Sequence, residues 1–255
     1  MRNEADVVPA VVAHLLHQGL AGIFIADHSS DDGTRQHLLS MAAVEPRLHI
    51  VLDSSKGHYQ KEKVTYLSRL AWRAGAEWII PFDGDEFWFA PRGALSEWLP
   101  EQRADIILSR TVQAVPLTLD GDLRDRELLL DLGKSPGKVA YRAHPLAFVG
   151  PGNHGVSRPG EIGEGLVNIH VPYRGVEQIL GKFQRGAQAL SDADTPSDQG
   201  WHWRAGAQFT EADAMAAWTR MQSGDPVRKI GWEANGPHIR TRPLLAMSFD
   251  PTVLA

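Results

Sequence analysis

Residues 79–89 read Ile-Ile-Pro-Phe-Asp-Gly-Asp-Glu-Phe-Trp-Phe, so an apolar run ends abruptly in three carboxylates, Asp83, Asp85 and Glu86. Nothing in core packing asks for such an exit. Carboxylates this close repel one another and resist desolvation unless a cation sits with them. Two aspartates at i and i+2, with Gly84 between them, can present oxygens to one hard divalent ion. An Asp/Gly turn at a strand end is the plainer reading of Asp-Gly-Asp alone. The aromatic wall Phe87-Trp88-Phe89 behind the acids argues against an ordinary solvated turn.

The elements that must position these groups alternate clearly in the first half. Residues 6–19 carry Val7, Val8, Val11, Val12, Leu15 and Leu16 at helical spacing, and Gly19 closes the helix. Residues 21–27 form a short buried strand ending in Asp27, and the polar turn 28–34 leads into a helix over 34–43. A strand at 48–52, an amphipathic helix over 60–74 and a strand at 77–82 follow. This β-α-β-α-β rhythm predicts a mostly parallel sheet with helices on both faces. Ligands of such sheets sit beyond the carboxyl ends of strands, where Asp27, Asp83 and Asp85 lie.

The second half is less regular. A short helix is expected at 91–99, strands at 105–109, 111–117, 138–142 and 166–171, and helices at 175–190 and 210–223. Residues 119–137 read as a charged loop, 144–165 as a Gly- and Pro-rich one, and 191–200 as a polar, mobile stretch. No repeat and no linker divides the chain.

Composition narrows the function classes. The 255 residues are 43% hydrophobic and 22% charged, with a net charge of -5. That balance argues against a nucleic-acid binder driven by phosphate contacts. There is no cysteine, hence no disulfide framework and no thiolate chemistry. No run of 18 apolar residues marks a transmembrane helix, and Met1–Asp6 does not read as a signal peptide. A cytoplasmic protein, with any membrane contact peripheral to the inner membrane, is expected.

Three segments, Arg2-Asn3-Glu4-Ala5-Asp6, Asp27-His28-Ser29-Ser30-Asp31-Asp32-Gly33-Thr34 and Asp83-Gly84-Asp85-Glu86-Phe87-Trp88, stand in this order and separation. Together they resemble glycosyltransferases of the family-2 type with a GT-A fold, in the bacterial branch with an Asp-x-Asp-Glu-Phe-Trp motif. The resemblance covers residues 1–90 and continues more weakly through His170-Val171-Pro172-Tyr173-Arg174, Gln178 and Lys182. It implies one α/β, GT-A-like domain with a mostly parallel central sheet flanked by helices. Its Rossmann-like nucleotide-sugar half would span 1–100 and its acceptor half 101–255.

The implied activity is metal-dependent, inverting transfer of a sugar from a nucleotide-diphosphate donor to a glycan, lipid-linked or protein acceptor. Mn2+ or Mg2+ would neutralise the leaving diphosphate. By resemblance, Asp85 is the direct metal ligand, Asp83 contacts the ribose or shares the metal, and Glu86 orients the site or meets the sugar. Asp27 would meet the base or ribose, and Asn3 and Glu4 would line the nucleotide pocket. His28 departs from the family, where a second Asp is common.

His170 is preferred as a metal ligand or diphosphate contact, since imidazole can ligate Mn2+, with His154 lining the acceptor side; a hydrogen-bonded structural histidine is the plainer reading of each. Arg174, Lys182 and Arg185 could hold the diphosphate, or form a solvated face, and Lys61 and Lys63 invite the same two readings. An inverting transfer needs a base. Glu164 is named for it ahead of Glu161, Asp192 and Asp194. Trp201-His202-Trp203 could stack on an acceptor sugar or simply pack.

Three rivals stand beside this reading. A nucleotide-sugar-binding module without turnover is opposed by the intact Asp83/Asp85 pair and favoured by His28 and by the missing first strand. A sugar-phosphate nucleotidyltransferase would need a Gly-rich basic loop that Met1–Asp6 does not supply. A metal-dependent phosphohydrolase would cleave simple esters. Relatives also carry an apolar strand ahead of the Asn-Glu motif. A chain extended upstream by such a strand is expected to be more stable, which a comparison of melting temperatures checks.

Overall fold

The computed structural model describes residues 1–55, 57, 59–119, 121–192, 205–206 and 208–241. Helix α1 (Val8–His17) begins where Pro9 presets φ in its first turn, and the chain leaves it through Gly19 at a φ of 77°. Its Val8, Val11, Val12 and Leu15 are fully buried. Strands β1 (Ile23–His28) and β2 (Leu48–Asp53) pair in parallel, joined by α2 (Thr34–Ala42). Helix α3 (Gln60–Arg73) then leads to β3 (Trp78–Ile79). To this point the elements follow the expected rhythm.

The expected mostly parallel, GT-A-like central sheet is not what the chain builds. β3 does not extend the β1–β2 pair. It joins a seven-stranded sheet with β4 (Glu86–Phe89), β5 (Ile106–Pro116), β6 (Leu128–Asp131), β7 (Val139–Arg142), β8 (Ile162–His170) and β9 (His238–Thr241). In that sheet only β5–β8 is parallel, and β3–β7, β4–β8, β5–β6, β5–β7 and β6–β9 are antiparallel. The physical reason lies in the connections. A crossover helix is what returns a chain to start a parallel neighbour. Between β4 and β8 the helical pieces are single turns, such as α4 (Leu95–Trp98). Two parallel strands in β1 and β2 therefore sit beside a mixed, mostly antiparallel sheet.

Other expectations shift in detail. The strands expected at 105–109 and 111–117 are one eleven-residue strand, β5. The charged stretch 119–137 contains β6, whose four residues are all buried. β8 starts four residues earlier than expected, and β9 was not anticipated. Helices α5 (Val176–Asp192) and α6 (Glu211–Gln222) match the two expected late helices. Residues 193–200 and Trp201-His202-Trp203 lie outside the described residues. No helix of the described residues is long and apolar enough to cross a membrane.

A cavity of about 1370 Å3 opens between β1 and residues 78–82. Leu15, Ile23, Phe24, Ile25, Trp78 and Leu95 line its apolar end, and Asp83, Asp85, His170 and Lys182 its polar end. On that edge of β1, among the described residues, Met1 makes the strand-like contact. Its amino group donates to the Ala26 carbonyl at 2.8 Å, and the His28 N–H donates to the Met1 carbonyl at 2.8 Å.

Under the acid turn, α1 packs its His14 between the rings of Phe87 and Phe89, where Nε2 donates to the Trp88 carbonyl at 2.8 Å. Burial pushes the imidazole down to about 4 from 6.5, so His14 is neutral in the folded chain. The unfolded chain protonates first as pH falls. Stability is therefore complete above pH 6.5 and is lost down to pH 4, by about 3 kcal/mol over that window. Urea unfolding at pH 7 and pH 4.5 is expected to show this loss, and His14→Gln to flatten it.

Candidate functional site

The acids stand at the entrance of β4. Asp83 donates its N–H to the Glu86 carboxylate at 3.1 Å, which closes the Asp83-Gly84-Asp85 turn. Gly84 needs no positive φ here. A Cβ at that position would lie 3.3 Å from the Met1 sulfur, so the glycine serves close approach of the N-terminal segment. The antiparallel register pairs Glu86 with His170. The Val171 N–H donates to the Asp85 carbonyl at 2.9 Å, and His170 Nε2 comes within 3.4 Å of Asp85 Oδ1.

The chain leaving β8 supplies the cations. Lys182, on α5, donates from Nζ to Asp85 Oδ2 at 2.8 Å and to the Pro172 carbonyl at 3.0 Å. Arg174 is 4% exposed and faces three carboxylates. It donates to Glu4, to Asp6 at 2.7 Å and 3.0 Å, and lies 3.6 Å from Asp85. Its third anchor is the Val171 carbonyl at 3.0 Å. Burial alone would raise the Asp85 carboxyl. Lys182, His170 and Arg174 outweigh it and hold Asp85 well below the usual carboxylate range. For Glu4, burial wins over Arg174 and the carboxyl is raised.

Lys138, at the start of β7, was missed by sequence reasoning. Its buried Nζ meets Asp83 Oδ2 at 2.7 Å and Glu86 Oε1 at 2.8 Å. Burial would lower the ammonium, but these two carboxylates raise it, so Lys138 stays charged. Asp83 Oδ1 also accepts from Gln60 Nε2 and Asn153 Nδ2, each at 3.1 Å. The signal for Lys138 was a lone lysine opening an apolar strand, with no local acid to explain it.

The two early motifs are bolted together. The Asn3 N–H donates to Ser30 Oγ at 3.0 Å, the Glu4 N–H to Thr34 Oγ1 at 2.8 Å and the Ala5 N–H to Asp32 Oδ2 at 3.0 Å. Asn3 exchanges side-chain bonds with Asp31 and sits at a φ of 56°, a left-handed conformation that asparagine tolerates. Asp27 is fully buried at the end of β1, held by Arg35 at 2.7 Å. His28 bonds the Ser55 carbonyl, and burial lowers its imidazole.

The structure thus gathers Glu4, Asp83, Asp85, Glu86, His170, Arg174 and Lys182 in one cluster, with Asn3 fixed to the neighbouring turn. Glu164 does not join it. It is exposed near the start of β8, six residues before His170, about 20 Å away at the rise of a strand. Glu161 is likewise exposed beyond the start of β8, while Asp194 and the side chain of Asp192 lie outside the described residues. Glu86 is fully buried against Lys138, which suits orientation of the site better than contact with a sugar. Lys63 pairs with Asp53 at 2.6 Å, Lys61 is exposed, and His154 and Arg185 line the cavity.

The donor set can be tested for a divalent ion. No group of three or more His, Asp or Glu side chains converges as a metal cluster among the described residues. Asp83 has both oxygens engaged by Lys138, Gln60 and Asn153. Asp85 and His170 do face each other, and a carboxylate with an imidazole suits Mn2+. That pair fits an ion whose remaining ligands come from phosphate and water.

No protein-family model matches this sequence, and a search of curated proteins finds no match.

Removing the Arg174 charge leaves Glu4, Asp6 and Asp85 crowded without their shared partner. Arg174→Met is expected to cost about 3–5 kcal/mol in urea unfolding. Adding Glu4→Gln should recover part of it, and a simple sum of the two single effects would show that they do not share one network.

Proposed function

We propose that this chain transfers a sugar from a nucleotide-diphosphate donor to a hydroxyl acceptor, with inversion at the anomeric carbon. One observation carries the reading: acids from two segments far apart in sequence, Glu4 and the Asp83–Asp85 turn, meet at the polar end of one large cavity that His28, Lys182 and Arg185 also line. The acceptor oxygen would attack the anomeric carbon as that carbon's bond to the diphosphate breaks, with the nucleoside diphosphate leaving and the hydroxyl proton passing to it or to solvent. A bound Mn2+ or Mg2+ would supply charge neutralisation for that leaving group. Asp85 and His170 would hold the ion, and Lys182 and Arg185 would face the phosphates. The turn at Asp27 and His28, bolted to Asn3, would take the nucleoside, and Asp83 the ribose. The acceptor is a glycan, a lipid-linked carrier or a protein. The reading carries a cytoplasmic location with it, peripheral to the inner membrane where the acceptor is lipid-linked.

A second reading, donor binding without turnover, has its own observation. Glu4, Asp6, Asp83, Asp85 and Glu86 all have a cationic partner, so none stands free as a base. Calorimetry with UDP, GDP, CDP and dTDP, with and without Mn2+, tests the donor site. One nucleotide is expected to bind with the ion and to weaken at least about tenfold, or 1.4 kcal/mol, in Asp85→Ala. Binding of none of the four would sink the donor reading. Binding with neither transfer nor donor hydrolysis would select the second.

A further inference from the structure

We propose that Lys182 is a tethered competitor for the divalent ion, so that the site takes up metal only as a phosphate group draws Lys182 off Asp85. The inference rests on the donor-site reading above and assigns that site an order of loading.

The geometry that carries it is local to Asp85. Oδ2 accepts from Lys182 Nζ at 2.8 Å, while Oδ1 faces His170 at 3.4 Å. A cation held between Oδ1 and His170 would share the carboxylate with the ammonium on Oδ2, and two like charges that close repel strongly in a part-buried site. Of the three groups around Asp85, Lys182 is the one free to leave. Arg174 is pinned by Glu4, Asp6 and the Val171 carbonyl, with a side chain only 1% exposed. His170 is fixed by the β4–β8 register. Lys182 instead hangs on a flexible four-carbon stem, with a side chain 19% exposed and the cavity beside it. Its second bond, to the Pro172 carbonyl at 3.0 Å, holds the ammonium in place over the acid. A diphosphate entering the cavity offers Lys182 a doubly charged partner and leaves Asp85 Oδ2 open.

Mn2+ alone is the probe, read by loss of the free-ion electron paramagnetic resonance signal, with no nucleotide and no turnover required. Lys182→Met is expected to bind Mn2+ at least about tenfold more tightly than the unaltered chain. Lys182→Gln, which keeps a polar tip of similar reach, should do the same and guards against misfolding of the methionine variant. Arg185→Met removes an equal charge from the same cavity without vacating Asp85. It should change the affinity by less than about threefold, the general field effect alone. Adding Asp85→Asn to Lys182→Met should abolish the gain.

Equal Mn2+ affinity in the unaltered chain and both Lys182 variants, lost in Asp85→Asn, would overturn the competition while leaving the ion site standing. Equal gains from Lys182→Met and Arg185→Met would overturn it too, since charge alone would then account for the gain. Absence of Mn2+ binding in every variant would remove both the competition and the ion site.

Discussion

The buried guanidinium of Arg174 is the contact on which the rest of the site depends. It lies among Glu4, Asp6 and Asp85, and so ties the first residues of the chain to the acid turn that opens β4. A charge buried this deeply costs several kcal/mol to desolvate, and only close, well-oriented partners offset it. Once Glu4 and Asp6 are held, the backbone amides of Asn3, Glu4 and Ala5 dock against Ser30, Thr34 and Asp32. The cleft is therefore assembled by ionic and polar contacts, with the apolar core of α1, β4 and β8 behind it.

Charge in the cluster is balanced unevenly. Five carboxylates, Glu4, Asp6, Asp83, Asp85 and Glu86, face Lys138, Arg174, Lys182 and the Met1 amino group. The structure relieves the excess unevenly. Asp83 and Asp85 are held below their ordinary range by Lys138 and Lys182, whereas burial raises Glu4. A buried excess of negative charge at one end of a cavity attracts cations and cationic edges of ligands. It also makes the cluster costly to bury.

Local structure was legible and pairing was not. The helical spacing of Val8, Val11, Val12 and Leu15 marks α1, and the acid turn after residues 79–82 marks the site, because both signals are written within a few residues. Strand direction is a property of connections. The β-α-β rhythm of residues 23–79 says nothing of the helix-poor stretch from 90 to 161, where the chain returns without crossovers and pairs antiparallel. β6 escaped notice because three consecutive leucines, Leu128–Leu130, show no alternation and sit between charged residues. Lys138 escaped because its partners, Asp83 and Glu86, are more than fifty residues away, and a lone lysine beside an apolar strand reads as a solvated end. Arg174 and Lys182 were visible as cations but not as partners of Glu4, Asp6 and Asp85.

The antiparallel pairing that overturned the expected sheet is also what completes the site. In an antiparallel pair the exit of one strand lies beside the entrance of the other. β8 therefore ends at His170 opposite Glu86, and residues 171–182 fall directly over Asp83 and Asp85. A parallel β4–β8 pair would have set the entrance of β8, with Glu164, beside the acids and carried His170, Arg174 and Lys182 to the far edge. The separation of Glu164 from the acids and the loss of the mostly parallel sheet thus have the same cause. Strand direction decides whether the acid turn meets one exposed carboxylate or the imidazole, guanidinium and ammonium that balance it.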